Sequence, residues 1–111
     1  MTGPDIVSVY ARVRIPPDKL EEFCRRNHIR KLSFFGSVLR DDFGPASDID
    51  VMVEFEPEHV PGLRFFTSQE EMAAILGRGV DLTTRRAVES SANYLRRKRI
   101  LDTTLDLYVE G

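Results

Sequence analysis

Two aspartates, Asp48 and Asp50, stand two residues apart in a run where Ile49, Val51, Val53 and Phe55 alternate with Asp48, Asp50, Met52 and Glu54. Such alternation predicts a strand over Asp48–Phe55, with both carboxylates leaving one face about 6.6 Å apart along the backbone. Neighbouring carboxylates repel, and a segment rich in Ile and Val is a costly place to leave them uncompensated. A divalent cation resolves the conflict. Hard oxygen ligands suit Mg²⁺, which keeps some waters and takes further ligands from substrate phosphates. Two such ions roughly 3.5–4 Å apart are the recurring device for in-line displacement at phosphorus. A bare Asp-x-Asp also fits an ordinary solvated strand face, so the surrounding residues have to decide.

Gly36-Ser37 lies upstream, after the apolar stretch Lys31–Phe35 and before a possible helical turn. Unpaired N–H groups at such a junction favour anions. Glycine lets the chain turn and lets a phosphate come close to the backbone, and the Ser37 hydroxyl adds a donor. A lone Gly-Ser is commonly just a turn. No GxxxxGK[ST] is present, so any phosphate site here is not a P-loop.

The elements that must position these residues follow from periodicity and breakers. Pro16-Pro17 ends an extended segment, residues 1–17. Asp18, with Glu21 three residues on, predicts a capping box for a helix over residues 19–28, whose apolar stripe is Leu20, Phe23 and Cys24. Lys31–Phe35 reads as a strand, and residues 38–47 as one helical turn followed by a Gly44-Pro45 loop. From Gly62 a helical pattern runs through Phe65, Phe66, Gln69, Met72, Ala73 and Leu76, with Gly77 where a C-terminal cap belongs. Val80-Asp81-Leu82 is a short strand. A last helix is expected at residues 89–101, and residues 104–109 as a strand or extended tail. The sum is one mixed α/β domain, a small sheet flanked by helices.

Composition narrows the classes of function. The 111 residues are 41% hydrophobic and 31% charged, as in an ordinary globular domain, and leave room for a single domain. No apolar run approaches the roughly 20 residues that cross a bilayer, and the N-terminus does not read as a signal peptide. The single cysteine, Cys24, cannot form an internal disulfide, and its place on the apolar stripe makes it core. A cytoplasmic protein is expected, without a membrane partner. The net charge of −2 argues against direct nucleic-acid binding, which draws on Lys and Arg.

Several residues have a simpler reading. Asp41 and Asp42 fit a solvated loop. His28 fits a helix-end dipole partner, and His59, between Pro57 and Pro61, has no metal-ligand companions. Phe34, Phe35, Phe65 and Phe66 fit packing. The basic run Arg96-Arg97-Lys98-Arg99 is by default a solvated helix face. An acidic partner, or the outer charge of a triphosphate, is its functional alternative.

The combination is more specific than its parts. Gly36-Ser37, then ten residues, then Asp48-Ile49-Asp50 resembles the signature of the polymerase β-like nucleotidyltransferase superfamily. The fuller string GSVLRDDFGPASDIDVMVEF, residues 36–55, resembles its minimal nucleotidyltransferase branch, with Arg40 and Ser47 where that branch has the same residues. Asp41 stands where glycine is frequent. The resemblance spans residues 19–108 and implies the small nucleotidyltransferase sheet, with the whole chain, 1–111, as one catalytic domain. It also implies a third carboxylate on a neighbouring strand, for which Asp81 in GRGVDLTT is the candidate.

Carried onto this chain, the resemblance assigns Asp48, Asp50 and Asp81 to two Mg²⁺ ions and to catalysis. Gly36, Ser37, Arg40 and Ser47 go to the nucleotide. The implied chemistry is transfer of AMP from ATP to a hydroxyl. Larger relatives carry a further domain for the acceptor, whereas this chain ends soon after the motif region, so the acceptor is expected on another molecule. The minimal branch resembles the antitoxin of a two-component toxin–antitoxin pair, which adenylylates a tyrosine of a HEPN-domain ribonuclease toxin. Neutralisation by complex formation alone, or transfer to a small molecule such as an aminoglycoside, are the alternatives. A homo-oligomer is compatible with either.

Overall fold

The structure is a computed structural model and describes residues 13–40, 43–59 and 62–110. Expectations for residues 1–12 and for Asp41 and Asp42 lie outside the described residues. The elements are α1 (Pro17–Arg26), β1 (Ile29–Phe35), a 3₁₀ turn (Gly36–Leu39), β2 (Ile49–Phe55), α2 (Arg64–Leu76), β3 (Val80–Thr84), α3 (Arg85–Glu89), α4 (Tyr94–Asp102) and β4 (Leu105–Val109). The strands form one four-stranded sheet in the order β3-β2-β1-β4. β1 runs antiparallel to β2 and β4, while β2 and β3 are parallel and joined through α2.

Most of the elements fall where hydrophobic spacing places them, and the departures have physical causes. The first helix begins at Pro17 rather than at residue 19, and no side chain caps it, so the Asp18–Glu21 capping box does not form. Proline suits the first helical position because its fixed φ is helical and its missing N–H would be unpaired there anyway. Asp18 instead places its charge in the first turn. The helix ends at Arg26, and His28 takes a left-handed φ of +58° just beyond it.

The first strand starts at Ile29, two residues before the expected Lys31. A register shift between Ile29 and Lys31 inserts one extra residue, which puts Ile29 in phase with Leu32 and Phe34, all three buried. The expected helix over residues 89–101 begins only at Tyr94, and a separate five-residue helix, α3, precedes it at Arg85–Glu89. Each has its own N-cap: Thr84 accepts from the Ala87 N–H, and Asn93 accepts from the Arg96 N–H. The tail is a true strand, β4, paired with β1.

The sheet is buried on two faces of unequal extent. Leu20, Phe23 and Cys24 of α1 and Met72 and Leu76 of α2 pack on Leu32, Phe34, Ile49, Val51 and Val53. On the opposite face Phe35 and Met52 meet Val88 of α3 and Ile100 of α4 in a smaller cluster. Burial pushes the Cys24 thiol up to about 12, with Glu21 adding to the rise, as suits a core residue rather than a nucleophile. β3 is an edge strand, and Gln69 of α2 covers part of that edge by accepting the Leu82 N–H at 2.9 Å. Among the described residues no helix is long and apolar enough to cross a membrane.

Phe34 is fully buried at the centre of the larger cluster. Phe34→Ala should therefore lower the unfolding free energy by about 3–5 kcal/mol, read from the urea midpoint at unchanged slope.

Candidate active site

Asp48 immediately precedes β2, Asp50 is its second residue, and Asp81 is the second residue of β3. Parallel pairing sets Asp50 directly opposite Asp81. The neighbouring backbone contact is the Ile49 N–H donating to the Gly79 carbonyl at 2.9 Å. On its other side Asp50 is paired with Phe35, the last residue of β1, so Gly36 follows at the same end of the sheet. Strand register thus brings the three carboxylates and Gly36 together from three consecutive strands.

The carboxylates differ in surroundings. Asp48 and Asp81 are exposed, and Asp50 is half-buried. Asp50 is held above the usual carboxylate range, first by loss of water and next by the charge of Asp81, with Asp48 adding to the rise. The Arg40 charge and a hydrogen bond from the Ser37 backbone N–H oppose this. Burial and repulsion from two neighbours disfavour the ionised form; a cation placed among them would relieve both.

Two glycines leave the space these side chains occupy. Gly36 has a φ of +77°, and a Cβ there would lie 2.1 Å from Asp50 Oδ2. A Cβ on Gly79 would lie 2.3 Å from Asp48 Oδ1. Each glycine fixes where one carboxylate can stand. Three hard oxygen donors at one strand end are the donor set that magnesium takes. Among the described residues the side chains as placed do not form a closed group of three metal ligands. The fit to a cation rests on donor chemistry, strand register and the repulsion felt by Asp50.

The loop before Asp48 is fixed from behind. Arg78 donates to the carbonyls of Gly44 at 2.5 Å and Ser47 at 2.9 Å, and its guanidinium lies 4.3 Å from the centre of the Phe43 ring. The Ser47 hydroxyl accepts the Gly44 N–H at 3.2 Å, which closes the same turn. Arg78 and Gly79 escaped sequence reasoning, although both lie in the GRGVD string that supplies Asp81. On the other side of Asp50 a cleft of about 620 Å³ is lined by Gly36, Arg40, Asn93, Arg96 and Arg99 among others. Half of the basic run therefore reaches the site. His28 and His59 stack with ring centres 4.0 Å apart near Glu56, just beyond the opposite end of β2. His59 thus has a companion that its sequence neighbours did not reveal.

Comparison with known proteins bears on the family and the fold. The family profile described as nucleotidyltransferase domain matches residues 17–106. The protein adenylyltransferase MntA of Thermococcus cleftensis is 34% identical over 71 residues, 63% of this chain and 70% of that protein. A toxin–antitoxin structure solved with AMP-PNP superposes with a TM-score of 0.65 at 20% identity, over 87% of this chain and 76% of the other. A Shewanella oneidensis structure of a tri-AMPylated HEPN toxin in complex with MNT antitoxin gives 0.57 at 21% identity, over 84% and 69%. These two structures establish the shared fold.

Gly79→Ala should keep the fold, because no left-handed φ is required there, while forcing Asp48 aside. A misplacement of about 1 Å costs on the order of 100-fold in turnover. Circular dichroism should be unchanged and nucleotidyl transfer reduced by that order. Asp50 tests the electrostatics separately. A carboxyl held above its ordinary range destabilises the fold when ionised, and that cost vanishes as pH falls and the group is protonated. Asp50→Asn in chelator-treated protein should therefore raise the thermal midpoint at neutral pH, with the gain shrinking as pH falls through the raised range of Asp50 and gone below the usual carboxylate value. A lower midpoint at neutral pH would contradict the electrostatic account.

Proposed function

The chain belongs to the nucleotidyltransferase domain family, and from that premise we propose that it transfers AMP from ATP to a tyrosine hydroxyl of a partner HEPN-domain toxin, acting as its antitoxin. The observation that carries the catalytic reading is the in-register pair Asp50–Asp81 beside Gly36. The name of the Thermococcus cleftensis relative supports adenylyl transfer to protein. The AMP-PNP complex and the AMPylated HEPN toxin among the fold neighbours support the donor and the acceptor. Residues 1–111 would act as one domain with a catalytic core over 19–108, working in the cytoplasm beside the toxin.

In the reaction, the acceptor oxygen forms a bond to the α-phosphorus while the bond to the α,β-bridging oxygen breaks. Pyrophosphate departs with the electron pair, and the phenolic proton passes to a carboxylate or water. Asp48, Asp50 and Asp81 would hold two Mg²⁺, which when bound would offset phosphate charge and lower the pKa of the attacking hydroxyl. Asp81 would help remove the phenolic proton, and its exposure on the edge strand β3 supports the role. The Gly36 backbone, free of a side chain, lets phosphate approach, and the Ser37 hydroxyl would donate to it. Arg40 would add charge to the nucleotide at the cleft wall. Ser47 would contribute by holding the Gly44–Ser47 turn that delivers Asp48.

The decisive experiment incubates the purified protein with ATP, Mg²⁺ and the toxin encoded beside it. An adenylate-sized mass gain on a toxin tyrosine is expected, and Asp48→Asn with Asp50→Asn should abolish it. If the double variant still silences the toxin in cells, neutralisation proceeds by complex formation and the catalytic account of the antitoxin fails.

A further inference from the structure

Four consecutive basic residues on α4 are divided by their partners. Arg97 donates to the Ser91 carbonyl at 2.6 Å, and its Cζ lies 5.4 Å from the centre of the Tyr94 ring. Lys98 pairs with Asp102 at 2.6 Å. Arg96 and Arg99 form no ion pair among the described residues, and both line the cleft that Gly36, Arg40 and Asp50 share. Residues three apart lie on one helix face, so both guanidinium groups come from the same side of α4.

Position and chemistry agree on what this pair would hold. The cleft combines three arginines with the single carboxylate of Asp50, in a chain whose net charge is −2. Beside it stand the exposed carboxylates Asp48 and Asp81. The site is thereby split into an acidic part on β2 and β3 and a basic part on α4. A nucleoside triphosphate bound with its α-phosphate at the acidic part needs a cationic wall for the remaining two phosphates. Guanidinium groups give phosphate oxygens paired, charge-assisted hydrogen bonds.

We propose that Arg96 and Arg99 are the pyrophosphate-binding residues of this site, holding the β- and γ-phosphates of the nucleoside triphosphate and then the pyrophosphate that leaves. The proposal rests on the nucleotidyltransferase reading and adds the residues that select a triphosphate over a monophosphate. When the α-phosphorus bond to the bridging oxygen breaks, negative charge grows on that oxygen, next to the two guanidinium groups. No proton is needed there, because arginine offsets the charge by hydrogen bonding alone.

Titration calorimetry with Mg²⁺ tests this on the intact protein, comparing wild type, Arg96→Gln with Arg99→Gln, and Lys98→Gln. Hydrogen bonds to charged groups make the double substitution weaken ATP and pyrophosphate binding by about tenfold or more. AMP binding should be unchanged, and Lys98→Gln should match wild type for all three ligands. If the double variant binds ATP as wild type does, or loses AMP and ATP affinity alike, the assignment is wrong and the catalytic reading stands. If wild-type protein binds no ATP with Mg²⁺, the catalytic reading fails and takes this assignment with it.

Discussion

Like charges are held together here by backbone pairing that they cannot escape. Asp50 and Asp81 face each other across the parallel β2–β3 ladder, and neighbouring strands stand about 5 Å apart. Two full charges at that separation repel by at most about 3 kcal/mol at an effective protein dielectric, and by less where water screens the exposed Asp81. Burying one Val, Leu or Ile side chain contributes about 1.5–3 kcal/mol. Ile49, Val51, Val53, Val80 and Leu82 are all buried on these same two strands. Apolar burial outweighs the repulsion and fixes the carboxylates in a crowded arrangement that a cation would relax.

The rest of the fold follows from keeping that ladder rigid while leaving one of its ends open. α1 and α2 seal the larger apolar face, and α2 also carries the crossover that makes β2 and β3 parallel. On the other face Phe35 and Met52 need cover close to Asp50, and Val88 and Ile100 supply it. That small cluster is what brings α4, and with it Arg96 and Arg99, against the site. The burial that raises Asp50 and the placement of the basic residues thus share one packing cause. Arg78 completes the frame by tying the Gly44–Ser47 turn to the chain beside Gly79.

The sequence made legible what depends on local period and spacing. Alternation around Asp48 and Asp50, helical spacing up to Gly77 and the Gly36-Ser37 junction all stand where the residues place them. Asp81 came through resemblance, because one carboxylate in a short apolar strand has no period of its own. The last helix was started five residues early, at 89, because the cap and loop signals Ser90, Ser91 and Asn93 were passed over. The helix α3 was missed because five residues show too little helical period. The extra residue in β1 was missed because a bulge reverses the side-chain alternation on which strand reading depends. Arg78 and the division of the basic run were illegible for another reason. Their roles are set by partners such as Gly44, Ser47, Ser91 and Asp102, and only the fold brings most of these within reach.

The same geometry orients the chemistry. In-line displacement at phosphorus places the attacking and leaving oxygens on opposite sides. The basic wall on α4 lies on the Gly36 side of Asp50, so pyrophosphate held by Arg96 and Arg99 as proposed would depart on that side. The attacking hydroxyl would then come from the side of Asp81, on the exposed edge strand β3. That edge is partly closed to strand addition, because Gln69 already accepts the Leu82 N–H. An acceptor approaching there is met by a carboxylate side chain rather than by an open backbone ladder, and this favours delivery of one reaching side chain, as a tyrosine provides, over docking of an extended strand.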